Sequence, residues 1–335
     1  MNVPLLDLLK ARFFLAPMAG ITDLPFRLLM RELGAEVVVS ELISAEGFAH
    51  GSHKTRAMMR IHEDEHPVGL QIFGTDPHKM AEAALCCEDA GADFVDINFG
   101  CPVPKVVSCG AGSAMLRQPV QMARLLEAMR ARLSVPLTIK IRSGWDSGSI
   151  NASEIVRVAA ACGVAWVSVH ARTREQGYSG LADWELIRGL HGDSPIPIIG
   201  NGDLASAELS VERLRLGFCH AVMLGRAALA NPFVFLECRK LMGEPRSPVP
   251  IRRVLERYSE LVLRHTHPLV AHTKLKKLFV WYASGIPGKG LFRHSMFALG
   301  NEPDKILAFA LDFLTDENLS RRTAGDLSFL KGGHG

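Results

Sequence analysis

Apolar residues along the chain fall into short runs closed by glycine, proline or polar residues. The runs lie at 13–16, 36–41, 68–72, 94–98, 137–141, 166–170, 196–200 and 221–224. They recur about every 30 residues, the length of one strand-plus-helix unit. Most are near-continuous hydrophobics, as expected for strands buried on both faces. The intervening segments 76–90, 118–133, 152–162 and 205–216 have helical character. In 76–90, Pro77 sits in the first turn and Gly91 stands where a C-cap belongs. Eight such alternations predict an α/β fold and favour a closed (β/α)8 TIM barrel over a doubly wound sheet. Periodicity does not report closure, so an open sheet is the alternative.

The pattern changes after Leu229. Gly243-Glu244-Pro245 and Ser247-Pro248-Val249-Pro250 make a stiff, non-helical joint. Helical stretches follow at 251–266, 272–284 and 302–313, with no strand pattern. The expected organisation is a barrel over 1–245 and an all-helical domain over 246–335, with a disordered tail at 332–335. Composition is that of a globular protein: 335 residues, 48% hydrophobic and 22% charged. No segment is apolar enough for a membrane span, and Pro4, Asp7, Lys10 and Arg12 break any signal-peptide pattern. The seven cysteines are odd in number and scattered, without CxxC or zinc spacing. Reduced thiols, no metal and a cytoplasmic location follow as expectations. Net charge is +3, but from Arg239 onward sixteen Lys/Arg face nine Asp/Glu, leaving residues 1–238 net negative by four. That asymmetry suits either a polyanion-binding surface or an ordinary solvated helical face.

Active sites of β/α barrels lie at the C-terminal ends of the strands. The run ends here carry Pro17-Met18-Ala19 on the first, Gln71 on the third, and Asn98 and Cys101 on the fourth. Lys140 and Arg142 follow on the fifth, His170 and Arg172 on the sixth, Asn201-Gly202-Asp203 on the seventh and Gly225-Arg226 on the eighth. Polar ends on one strand after another are not what core packing produces, because a buried charge without a partner is costly. The glycines after strands seven and eight, with Arg226, match the recurrent phosphate site of barrels. No GxGxxG fingerprint, Walker loop or HExxH motif accompanies them. A phosphate-bearing cofactor outside the Rossmann class is therefore expected, with FMN the natural candidate. Cys101, between Gly100 and Pro102, is placed at the mouth; Cys109 is its nearest thiol in sequence, and a redox role beside Cys101 is an alternative to a structural one.

Several segments now become recognisable. They are Ala16-Pro17-Met18-Ala19-Gly20-Ile21-Thr22-Asp23, Asp96-Ile97-Asn98-Phe99-Gly100-Cys101-Pro102, Lys140-Ile141-Arg142-Ser143-Gly144-Trp145, His170-Ala171-Arg172-Thr173-Arg174 and Gly200-Asn201-Gly202-Asp203. In order and spacing, through Gly225-Arg226-Ala227 to Trp281-Tyr282 and Gly285-Ile286-Pro287-Gly288, the chain resembles the tRNA-dihydrouridine synthase family, its bacterial B-type branch in particular. The resemblance implies FMN at the barrel mouth, NADPH as reductant and reduction of the uridine C5=C6 bond in the D-loop region of tRNA. By matching position, it implies Pro17, Met18 and Ala19 along the flavin and Gln71, Lys140 and His170 on its ring. It further implies Asn201, Gly202, Asp203, Gly225 and Arg226 at its phosphate, Asn98 and Arg142 on the uracil, and Cys101 as proton donor. One departure is that Ser108-Cys109 stand where relatives commonly carry basic residues, which puts an RNA contact in doubt rather than the chemistry.

A thiol of ordinary pKa, about 8.5, is mostly protonated at neutral pH yet acidic enough to quench an enolate. Lys274, Lys277 and Trp281 fall at helical spacing on one face and, with Arg293, form the expected tRNA grip; the expected state is a monomer. Two other readings stay open. One is an FMN barrel oxidoreductase acting on a free pyrimidine or other small molecule. The second is a non-catalytic RNA-binding protein.

Overall fold

A computed structural model describes residues 3–244 and 247–323. Among them, β1 (Phe13–Leu15), β2 (Val37–Ser44), β3 (Val68–Phe73) and β4 (Phe94–Phe99) are followed by β5 (Leu137–Arg142), β6 (Val167–His170), β7 (Ile198–Asn201) and β8 (Ala221–Leu224). All pair in parallel and in sequence order, and β8 returns to β1, so the sheet is a closed barrel. The fold expected from the eight apolar runs is thus the one observed. The expected domain boundary at 245/246 and the tail at 332–335 lie outside the described residues.

Strand alternation sorts the side chains into two cores. Val95, Ile97 and Phe99 of β4 and Leu137, Ile139 and Ile141 of β5 join the large cluster under the surrounding helices. The opposite parity fills the barrel interior with Phe14, Val37, Val39, Phe94, Trp166, Ile199, Ala221 and Met223. Phe94 and Trp166 meet edge-to-face at 4.8 Å. A Cβ on Gly69 would lie 2.2 Å from the Phe94 ring, so glycine is what lets that ring occupy the interior. The short helix Leu5–Leu8 buries Leu8 in this inner core. Further along the same parity, toward the C-terminal strand ends, the interior turns polar: Gln71, Asp96, Thr138, Arg142, Ser168 and His170 are all buried there. Apolar below and polar above, the barrel gathers these buried polar groups at the end where barrel active sites lie.

Helix Pro77–Asp89 begins with Asp76 accepting from the Lys79 N–H and ends before Gly91 at φ 96°, which is the punctuation read from the sequence. Beyond the barrel come Ile251–His265, Pro268–Tyr282, Lys289–Ala298, Pro303–Phe313 and Asp316–Ser320. The second starts four residues before the expected 272, because Pro268 opens the helix under a His267 cap. Lys289–Ala298 has no expected counterpart: Phe292 and Met296 are its buried anchors, and no side chain caps its start. These helices are braced to the barrel. Arg257 pairs with Glu32 at 2.7 Å, and Arg322 donates to the carbonyls of Ala230 and Tyr282. Among the described residues no helix is long and apolar enough to cross a membrane.

Candidate active site

A cavity of about 880 Å³ opens at the C-terminal end of the barrel, between the strand ends and the C-terminal helices. Cys101, Asn98, Lys140, Arg142 and His170 face it from the barrel, and Lys277, Trp281 and Arg293 from the helices. A smaller pocket of about 120 Å³, lined by Asn201, Gly202, Asp203 and Gly225, shares Pro17, Met18, Lys140, His170, Tyr178 and Arg226 with it. The combined space is in the range of a cofactor-plus-substrate site.

The floor is a continuous hydrogen-bonded chain. Thr138 donates to Asp96 Oδ1 at 2.6 Å and Gln71 Nε2 to Asp96 Oδ2 at 2.6 Å. Asn98 Nδ2 donates to Gln71 Oε1 at 2.8 Å. Asn98 Oδ1 then accepts from the N–H of Cys101 at 2.8 Å and of Gly100 at 3.2 Å. Burial lifts the Asp96 carboxyl to about 6, against the pull of Gln71, Thr138 and Lys140. The chain therefore fixes the Cys101 loop from beneath. Gln71 is fully buried, with Nε2 bonded to Asp96 and Oε1 to Asn98, and it is not among the residues that line the cavity. Arg142 is engaged as well: Nε donates to the Gly100 carbonyl at 3.0 Å, and Nη1 to those of Thr173 and Gly177, each at 2.7 Å.

Lys140 Nζ donates to Asn201 Oδ1 at 3.0 Å. Desolvation, with Arg142 beside it, lowers its ammonium from 10.5 to about 8, opposed by Asp96 and Cys101. His170 is held well below its usual value by burial and by Arg142, Lys140, Arg172 and Arg226. It is neutral at pH 7, with Nε2 accepting from Arg172 Nη1 at 3.2 Å. In the smaller pocket, Asp203 adopts φ 52°. Its carboxylate is held by Arg172 at 2.7 Å, by Arg226 at 3.4 Å and by the Ala182 N–H at 2.8 Å. Among the described residues no acceptor engages the backbone N–H groups of Gly202, Asp203 or Gly225. Those donors and Arg226 make an anion cradle. Asp203 belongs to it through its backbone, since its carboxylate is committed to arginines. A Cβ on Gly202 would lie 2.9 Å from the His170 ring, so the cradle requires glycine.

Cys101 is a free thiol, raised above its ordinary range chiefly by burial, against the Val103 N–H, Arg142 and Lys140. It is thus protonated at neutral pH. Its carbonyl accepts from Ser113 Oγ at 2.9 Å and Ser113 N at 3.1 Å. Cys109 is also free, exposed, and bonded to the Lys105 carbonyl; it does not line the cavity. On the far rim, Lys277, Trp281 and Arg293 are joined by Lys289 and Phe297. Lys274 departs from that group: its ammonium pairs with Asp23, the cap of helix Leu24–Glu32. It therefore braces the helical region against the barrel.

The sequence profile of the family described as Dihydrouridine synthase (Dus) matches residues 14–317. The chain belongs to the dihydrouridine synthase family. tRNA-dihydrouridine synthase B of Xanthomonas axonopodis pv. citri is 37% identical over 311 residues, covering 90% of this chain and 92% of that protein. A probable tRNA-dihydrouridine synthase of Rickettsia bellii is 35% identical over 323 residues, covering 92% and 98%. Among solved structures, histamine dehydrogenase from Rhizobium sp. 4-9 superposes with TM-score 0.56 at 13% identity, over 75% of this chain and 49% of that one. A morphinone reductase variant in complex with tetrahydroNAD gives 0.51 at 13% identity, over 70% and 87%. At such identities these two likenesses concern the fold.

Sequence reasoning missed Tyr178, whose ring lies 5.0 Å from the Arg226 guanidinium and 5.6 Å from that of Arg142. It comes from an irregular loop, where periodicity carries no signal. It also passed over Arg172 as a site residue, although its strand-end position was the available clue.

Proposed function

We propose that this protein reduces the C5=C6 bond of uridines in tRNA, in the D-loop region, with FMN as resident cofactor and NADPH as its reductant. Family membership supports the reaction class. The observation that carries the reading is the meeting, across two pockets that share Lys140 and Arg226, of a protonated thiol, a lysine cation and an anion cradle of free backbone donors.

The residues fit FMN. Gly202, Asp203 and Gly225 offer N–H donors and Arg226 a guanidinium to its phosphate, while Pro17, Met18 and Ala19 line the approach. Lys140 and neutral His170 are the residues that would hydrogen-bond its ring. Bound FMN supplies hydride for C6 of the uracil. Cys101 then delivers its proton to C5, and burial keeps that proton in place at neutral pH. Lys140 offsets negative charge that develops at the reacting centre. Asn98 and Arg142 fix the Cys101 loop, and whatever donors they retain face the uracil from the cavity wall. Because the target base must leave its stack to reach this depth, the rim has to grip the RNA backbone; Lys277 and Arg293 are the proposed contacts.

The test is purification of the protein, identification of the released chromophore, and incubation with an unmodified tRNA transcript and NADPH or NADH. Dihydrouridine in the D-loop region and a preference for NADPH are expected. A colourless protein that takes up no FMN, or reduction of free uridine as fast as tRNA, would overturn the proposal.

A further inference from the structure

Three loops at the mouth converge on Trp145, a residue that the chemistry above leaves unused. Arg117, the last residue of the turn Gly112–Arg117, places its guanidinium carbon 4.2 Å from the Trp145 ring centroid. Arg174, in the loop after β6, places its own 4.5 Å from the same centroid. The two carbons are thus at most 8.7 Å apart, the sum of those distances.

The arrangement is held by backbone. Arg174 N–H donates to the Gly144 carbonyl at 2.9 Å and Glu175 N–H to the Trp145 carbonyl at 3.0 Å. Asn151 Nδ2 ties the Arg117 turn at the Leu116 carbonyl, 2.7 Å. Among the described residues neither guanidinium has an acidic partner, whereas Arg172 and Arg226 share Asp203 and Arg257 has Glu32. Two like charges on one ring are disfavoured unless an anion joins them.

We propose that Arg117 and Arg174, spread on Trp145, clamp an RNA phosphodiester beside the nucleotide that enters the cavity. The inference rests on reading RNA as the substrate. Arg174 lines the same cavity as Cys101, so a phosphate held there is next to the reacting base. Across the mouth, Lys277, Lys289 and Arg293 line the other rim. Cations on both sides suit a strand running across the opening rather than a small anion. Planar guanidiniums also bind phosphate in defined orientations, which a mobile lysine does not.

The experiment is tRNA binding to the holoprotein as a function of salt. Arg117→Ala and Arg174→Ala should each weaken binding about threefold or more, and each should reduce the slope of log affinity on log salt by about one. Trp145→Ala should move in the same direction and Trp145→Phe should keep wild-type behaviour. Arg157→Ala removes an exposed arginine from helix Ala152–Ala161 and should leave the slope unchanged. Unchanged slopes in both clamp variants overturn the proposal. So does a loss of NADP+ affinity with tRNA binding intact, which would assign the arginines to a nucleotide 2′-phosphate. A wild-type protein that binds no tRNA would instead overturn the substrate reading beneath it.

Discussion

Lys140 is the residue whose cost to the fold and value to the chemistry separate most cleanly. Its ammonium is lowered from 10.5 to about 8 in the folded protein. At about 1.36 kcal/mol per pH unit this corresponds to roughly 3 kcal/mol of instability when the group is charged. The side chain is only partly shielded, because it lines the cavity, and water there reduces the figure to about 2 kcal/mol. Below pH 8 both folded and unfolded chains hold the proton, and the full penalty applies. Between about 8 and 10.5 the unfolded chain binds more protons, so native stability rises with pH through that window. Lys140→Met abolishes this dependence. It also strips Asn201 Oδ1 of its donor, a pH-independent loss of about 1–3 kcal/mol. At pH 7 the flavin-free variant should therefore lie within about 1 kcal/mol of wild type. By pH 10 most of the further 2 kcal/mol, approximately, should have shifted in favour of wild type. Denaturant unfolding of the flavin-free proteins at both pH values measures the difference, and the remaining titrating groups cancel. Parallel pH curves for the two proteins would refute the argument.

Cys101→Ala should retain FMN and lose about 10²–10⁴ in turnover on tRNA, the usual worth of a general acid; flavin absorbance and single-turnover reduction of a transcript separate the two effects. Gly202→Ala forces a side chain onto a backbone at φ 118°, with its Cβ 2.8 Å from that of Ala182. About 1–3 kcal/mol of stability should be lost, together with at least about a tenfold loss of FMN affinity (about 1.4 kcal/mol), read by flavin fluorescence. Glu65→Ala leaves Arg27, 2% exposed and paired with Glu65 at 2.6 Å, without its carboxylate. Unfolding should become easier by about 3–5 kcal/mol, a loss that chemical denaturation detects and that flavin binding does not repair.

The fold was legible because the apolar runs report burial on both faces, and burial is a property each strand has independently. Capping at Asp76 and Gly91 is likewise local. Strand-end position sufficed to nominate Cys101, Lys140, His170 and the Gly202–Gly225 cradle, since a barrel gathers all strand ends at one mouth. Other features depended on three-dimensional neighbours. Helical spacing groups Lys274 with Lys277, yet Asp23, 251 residues away in the chain, draws Lys274 into a brace. Gln71 was placed at the correct strand end, but strand register beside Asp96 and Asn98 commits its amide to the floor. The carboxylate of Asp203 is spent on two arginines brought in by β6 and β8. Tyr178 and the Trp145 cluster arise where irregular loops meet, and no period marks them in the chain. Sequence alone therefore determined the eight strand-and-helix units, their chemical end and the family, because these follow from patterns each segment carries by itself, whereas closure rests on the pairing of β8 with β1. Tertiary structure decided which polar groups remain free for a ligand, because hydrogen bonding and ion pairing saturate and only the folded neighbourhood shows which partner has been taken.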